Sequence, residues 1–196
     1  MKRIVEFLFE TGMLKRSPRT GYQFLGSGGE SVADHSFRTA VIAYVLASME
    51  PEVNRERLIL MCLFHDLPEA RTGDHNYVNK KYVQVDEGKA IRDQVNGLDF
   101  AREIISLAEE FNVADTLEAR LSKDADQLDL ILELKEQSDL GNPHARDWLS
   151  FAVKRLLTES GKKLAEEILA SEHDSWWFDK KTAWWVNGSQ LNRQRP

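Results

Sequence analysis

The stretch from 115 to 138 leaves this chain few folds to choose from. Leu117, Leu121, Ala125, Leu128 and Leu132 form one apolar stripe at helical spacing, and Ala119, Leu130 and Leu134 form a second on another side. A helix that is apolar on two sides has to be covered on both, which makes it central in a bundle. Asp126 falls within the second stripe. It is thus a carboxylate directed into the interior, where it needs a cation or several donors. Asp124 and Asp129 read as its more easily solvated rivals.

The same period runs through the rest of the chain. Ile4, Phe7, Leu8 and Leu14 outline a first helix that ends before Ser17-Pro18. Residues 17–30 carry Pro18, Gly21, Gly26, Gly28 and Gly29 and read as a loop. A helix is predicted over about 31–48, stopped by Met49-Glu50-Pro51, and another over about 54–67 with Asn54 as its N-cap. Pro68 disfavours helical geometry at Leu67, which puts Glu69 on a turn or a fresh helical start. Residues 70–83 are polar and turn-rich, and amphipathic patterns follow over about 84–111, with an interruption at Asn96-Gly97, and over 145–170. No segment alternates long enough to be a strand. The prediction is all-α: one helical domain over 1–180 and a C-terminal extension over 181–196. The aromatic set Trp176-Trp177-Phe178 and Trp184-Trp185 would be a large apolar patch if exposed, so it is expected to pack on the body or on a second subunit. Gln190–Pro196 reads as a frayed tail.

The chemistry is concentrated in a doublet. His65-Asp66 closes the apolar run Leu58–Phe64, and a charged pair there is costly to bury without compensation. The usual compensation for imidazole plus carboxylate is a divalent metal, and two further ligands fit: His35, thirty residues earlier, and Asp126, sixty later. The chain therefore reads as a metal-dependent hydrolase.

Bulk properties narrow the class. A formal net charge of −6 gives no broad attraction to nucleic acid or to an anionic membrane, so polymeric nucleic acid and membrane are excluded as partners. A phosphate ester would have to be met locally, by a metal and a few arginines. The single cysteine, Cys62, sits in the run before His65 as core filler, and one thiol cannot form an internal disulfide. Glu6 and Glu10 interrupt the apolar N-terminus, which is an amphipathic helix rather than a signal peptide, and the protein is expected to be cytoplasmic.

Three strings carry a resemblance: Glu30-Ser31-Val32-Ala33-Asp34-His35-Ser36, Phe64-His65-Asp66-Leu67-Pro68-Glu69-Ala70-Arg71-Thr72-Gly73-Asp74, and Lys123-Asp124-Ala125-Asp126-Gln127-Leu128. Over about residues 1–140 the chain resembles the HD-domain metal-dependent phosphohydrolases, most closely their 5′-deoxynucleotidase group. The resemblance implies a helical HD-domain bundle, one divalent transition metal (Mn, Co, Fe, Ni or Zn), a homodimer, and hydrolysis of deoxynucleoside 5′-monophosphates to nucleoside and phosphate. By motif, His35, His65, Asp66 and Asp126 would be the metal ligands, and Glu69 the acid that positions or deprotonates the attacking water. Arg19, in Leu14–Tyr22, would contact phosphate, while Tyr22, Thr72 and Asp74 would line the substrate pocket, Asp74 near the sugar. Two departures stand out: Tyr22 occupies a position where relatives often carry Trp, and His75-Asn76 follows Gly73-Asp74 where relatives often have an apolar residue and then proline. Other readings are an HD-type hydrolase of a phosphodiester, nucleoside triphosphate or alarmone, or a non-catalytic metal- or nucleotide-binding module.

Overall fold

The computed structural model describes residues 1–182 and 184–188. Among them there is no sheet, and the helices are α1 (Lys2–Thr11), α2 (Tyr22–Leu25), α3 (Val32–Met49), α4 (Arg55–Phe64), α5 (Glu69–Thr72), α6 (Glu87–Val95), α7 (Ala101–Val113), α8 (Leu117–Asp139), α9 (Pro143–Ala152), α10 (Glu159–Ala170) and α11 (Trp184–Asn187). No helix among the described residues is long and apolar enough to cross a membrane. Residues Gln190–Pro196 lie outside the described residues.

Helix α8 is the axis of the bundle, contacting α3, α4, α7, α9 and α10. Its first stripe supplies Leu121, Ala125 and Leu128 to the main core, where Ile42 and Leu46 of α3, Leu58 and Cys62 of α4 and Leu149 of α9 meet them. Each such fully buried leucine contributes about 1.5–3 kcal/mol. A second cluster, of Phe7, Leu14, Val32, Leu67, Ile91, Val95 and Ile104, closes the other end. His35, on α3 one turn after Val32, and His65, two residues before Leu67, stand between the two.

Local chemistry sets the helix ends. Asn54 caps α4 as expected, its side chain accepting from the Arg57 amide at 3.0 Å. Ser31 and Asp34 form a reciprocal capping box at the start of α3, so Asp34 is committed to helix initiation. Helix α4 ends at Phe64 rather than at 67. Leu67 precedes Pro68, and His65–Pro68 form turns before the chain restarts at Glu69. The interruption at Asn96-Gly97 is a true break, with Gly97 at φ +77° between α6 and α7.

Three expectations are corrected. The loop over 17–30 contains the short helix α2. The pattern over 145–170 is two helices, because the Leu157 and Thr158 amides turn out of helical pairing to donate to Asp124, at 2.7 and 2.8 Å, and the Thr158 hydroxyl donates to it at 2.6 Å. Asp124 is therefore fully buried rather than solvated; Asp129 is buried too, for a different reason given below. Gly161 lies against the Asp124 carboxylate so closely that a Cβ there would collide with it. The C-terminal aromatic residues pack on one another: Trp177, Phe178, Trp184 and Trp185 meet in T-shaped and tilted pairs 4.6–5.7 Å apart, and Trp176 is exposed.

Candidate metal centre and substrate pocket

Four side chains from three elements converge. His35 comes from the first turns of α3, His65 and Asp66 from the turn that follows α4, and Asp126 from the middle of α8. His35 Nε2 lies 3.2 Å from His65 Nε2, 3.2 Å from Asp126 Oδ1 and 3.6 Å from Asp66 Oδ2. His65 Nε2 is 3.3 Å from Asp66 Oδ2 and 3.9 Å from Asp126 Oδ1.

The outer ring nitrogens explain why this grouping calls for a cation. His65 Nδ1 is 2.7 Å from the Cys62 carbonyl oxygen, which can only accept, so the proton sits on Nδ1. His35 Nδ1 is likewise 2.6 Å from Asp129 Oδ2. The Nε2 atoms face each other and two carboxylates, so each can give its lone pair to one cation: a proton on His35 in the metal-free protein, or a metal ion in its place. Burial opposes a proton on His35, yet hydrogen bonds to Asp126 and Asp129 outweigh it and raise the ring to about 10. Positive charge is thus favoured at this point. Burial also works against ionised Asp66, but His65, His35 and Arg19 hold its carboxyl well below the usual range. The ligand atoms of His35, His65 and Asp126 lie close enough to share one ion, Asp66 Oδ2 stands 3.6 and 3.3 Å from the two imidazoles, and imidazoles with anchored outer nitrogens beside carboxylates fit a divalent transition metal.

A cavity of about 300 Å³ opens onto the cluster. Arg19 is held in its wall. The Pro18–Ser31 bridge closes the loop, the Arg19 amide donates to the Glu30 carbonyl at 3.0 Å, and the guanidinium reaches Asp66 Oδ2 at 3.1 Å. Glu69 faces the same space. Burial, then the neighbouring Asp66 and Asp74, push its carboxyl up to about 9, and Oε2 is buried with no hydrogen-bond partner among the described residues. Asp74 lines the cavity but is engaged by the Thr20 amide and by the Thr20 hydroxyl at 2.9 Å, which fastens the Arg19 loop to the turn after α5. Tyr22 lines the cavity with its hydroxyl donated to Glu133 at 2.7 Å.

Thr72 is not brought in. Its hydroxyl turns back to the Pro68 and Gly73 carbonyls, at 3.2 Å each, at the end of α5, where Gly73 at φ +73° redirects the chain. The expectation that Thr72 lines the pocket is corrected accordingly.

Comparison with known proteins shows the family. The family model described as "HD domain" matches residues 11–169. The chain belongs to the HD-domain family. It is 32% identical over 152 residues to the human protein (Homo sapiens) named 5′-deoxynucleotidase HDDC2, covering 74% of this chain and 73% of that one. It is 34% identical over 143 residues to 5′-deoxynucleotidase hdd1 of Schizosaccharomyces pombe, with 68% and 71% covered. Among solved structures, a conserved hypothetical protein from Pyrococcus furiosus superposes with a TM-score of 0.74 at 30% identity, covering 85% of this chain and 99% of that one. A predicted metal-dependent phosphohydrolase from Magnetospirillum magnetotacticum gives 0.69 at 25% identity, with 86% and 93% covered.

Several residues of this HD domain escape sequence reasoning. Asp129 is wholly buried because it accepts from His35 on one side and Arg38 on the other, and Arg38 continues to Glu133, which holds Tyr22. The signal was available: Arg38 follows His35 by three residues and Asp129 follows Asp126 by three, so each pair shares a helix face. Glu30 joins this acidic group; burial, Asp129 and Glu133 raise it to about 7. Lys123, with its ammonium 3.5 Å from the centre of the Phe111 ring, forms another part of the cavity wall.

Proposed function

We propose that this protein is a metal-dependent phosphomonoesterase that hydrolyses deoxynucleoside 5′-monophosphates to nucleoside and phosphate. The observation that carries the reading is the pair of imidazole Nε2 atoms facing each other at 3.2 Å between two carboxylates, at the floor of a cavity that also holds Arg19 and Glu69. The names of the curated relatives supply the substrate class.

His35, His65, Asp66 and Asp126 would hold one divalent transition ion. Such an ion, when bound, lowers the pKa of its water and draws charge from phosphoryl oxygens. Arg19 binds the phosphate through its planar guanidinium, which stays charged because Asp66, Asp126, Asp74 and Glu69 outweigh its burial. Glu69 takes a proton from the attacking water and returns it to the 5′ oxygen as the P–O bond breaks, so atoms and protons balance. Raised to about 9, Glu69 is a neutral acid at pH 7 in the metal-free protein; a dication held by the neighbouring ligands would offset the Asp66 and Asp74 charges that raise it and leave Glu69 free to accept that proton. Asp74 acts by fixing the Arg19–Thr20 segment, and Tyr22 by closing the cavity beside Glu133.

Two further parts belong to the same reading. A homodimer is supported by the exposed stripe of Phe37, Val41 and Tyr44 on α3. A reducing compartment such as the cytoplasm is supported by Cys62, a free buried thiol pushed up to about 12. Purified protein with Mn²⁺ or Co²⁺ is expected to release phosphate from dAMP, dCMP or TMP, and chelation to abolish release. No phosphate from any of them, or from their ribose counterparts, with metal bound, would overturn the reading.

A further inference from the structure

Positive charge in the cavity wall is distributed unevenly. Arg19 is committed to carboxylates, 3.1 Å from Asp66 and 3.8 Å from Asp74. The Arg155 guanidinium donates to the Tyr77 hydroxyl, the His75 ring donates to the Thr72 carbonyl at 3.1 Å, and Lys80 is exposed between α5 and α6. Lys123 differs from all of these. It stands on α8 three residues before Asp126, so the two share a helix face, and it is half-buried in the same wall. Among the described residues its ammonium has no ion pair: Asp126, Asp66 and Glu87 act on it through charge at a distance, without a hydrogen bond.

What holds this ammonium is a ring. It lies 3.5 Å from the centre of Phe111, and that buried ring packs 5.1 Å from the ring of His65. Lys123 is thereby positioned beside the metal ligands by a neighbour that carries no charge, since a cation–π contact orients an ammonium without neutralising it. Burial deprives the ammonium of hydration and lowers its pKa, a cost that an incoming anion removes. Charge counting gives the residue a task. A divalent ion balances Asp66 and Asp126, and Arg19 stands against Asp74. The dianion of a phosphate monoester then adds two negative charges, and Lys123 is a half-buried cation beside the ligands that no carboxylate among the described residues holds.

We infer that Lys123 is a second phosphate-binding residue, which together with Arg19 grips the phosphoryl oxygens and favours dianionic monoesters over monoanionic diesters. This rests on the nucleotide reading above and adds to it how the site weighs the charge of its ligand. Coulomb attraction scales with that charge, so one ammonium draws a dianion about twice as strongly as a monoanion at the same place.

The test uses the Mn²⁺-loaded full chain with dAMP, with its 5′-methyl ester, which carries one charge fewer, and with inorganic phosphate. Lys123→Met keeps an aliphatic stem over Phe111 and removes the charge. It is expected to lower kcat/KM for dAMP about 10–100-fold, mainly through KM, the scale of one hydrogen bond to a charged group. Metal content should stay unchanged, and Lys123→Arg should keep most of the activity. Lys123→Gln takes the place of the Met variant if that one unfolds. Calorimetry with inorganic phosphate, which involves no turnover, should show affinity down about 10-fold in the neutral variant, and affinity for the methyl ester, measured the same way, should fall less. Unchanged dAMP kinetics and phosphate affinity would overturn the assignment, as would equal losses for phosphate and the methyl ester, or a loss of metal that accounts for the fall. If the wild type releases no phosphate from any nucleotide, the phosphatase reading fails, and the phosphate calorimetry still decides the role of Lys123.

Discussion

Asp124 and Asp126 stand two residues apart on α8 and face different regions of the molecule. Asp124 meets the start of α10, where two backbone amides and a hydroxyl donate to it. Asp126 meets the pocket, where its near neighbours are the Nε2 atoms of two imidazoles and its charge is balanced only by a cation held between them, a proton on His35 or a metal ion. Both carboxylates leave bulk water, yet only the first finds its donors within the fold. A buried acid saturated by neutral N–H and O–H groups is architecture; one set between imidazole nitrogens is an incomplete site that waits for a cation. The sharpest test of that distinction is to remove each.

Asp126→Ala or Asp66→Ala is expected to lose bound metal and to lower phosphate release by about 10⁴-fold, the scale of removing one member of a constellation that acts as a unit. Asp124→Ala is expected to do the reverse. It leaves buried amides unpaired at about 1–3 kcal/mol each, so a loss on the order of 3 kcal/mol is expected, a fall in Tm of about 10 °C, with metal content retained. Metal analysis and thermal melts on the two variants check both. Equal metal loss in Asp124→Ala would break the contrast.

Glu69→Gln separates chemistry from binding within the pocket. The expected outcome is an unchanged metal content with kcat down about 10²–10⁴-fold, the usual contribution of a positioned acid or base. Next in size is Asp129→Asn. Its carboxylate holds the outer nitrogen of His35 at 2.6 Å, and loss of such a partner weakens metal binding by about 10–100-fold. Competition with a metal-sensitive dye measures this.

The same contrast explains what the sequence made legible. The central helix, the Asn54 cap and the restart at Glu69 follow from local spacing, whereas the grouping of His35, His65, Asp66 and Asp126 is implied by the resemblance of three strings to a known family. What stayed hidden depends on pairing between distant elements. Asp124, Asp126 and Asp129 are identical residues at near-identical positions in the pattern, and their roles are assigned by α10, the two imidazoles and Arg38, up to 94 residues away. The break at Leu157-Thr158 was invisible for the same reason, since the segment has helical composition and is opened by a carboxylate over thirty residues earlier. Thr72 sits in a string that resembles its family, yet the turn at Gly73 directs its hydroxyl back to the backbone.

The smallest predicted effect belongs to an acid whose partner is charged but whose setting is wet. Glu110 accepts from Arg57 and, at 2.6 Å, from Thr116, on the outer side of α7. The Arg57 hydrogen bond, outweighing a small desolvation penalty, holds its carboxyl below the ordinary range. A carboxyl lowered in the folded state stabilises the fold at pH above its unfolded value of about 4.3, and that contribution is lost as pH falls through the lowered value. Glu110→Gln is therefore expected to reduce stability at pH 7 by about 1 kcal/mol or less and to leave it unchanged near pH 2. Denaturant melts at the two pH values check this. Arg57–Glu110 has full opposite charges and Asp124 has only neutral donors, so a loss at Glu110 as large as that at Asp124 would mean that charge, and not unsatisfied burial, sets the scale in this fold.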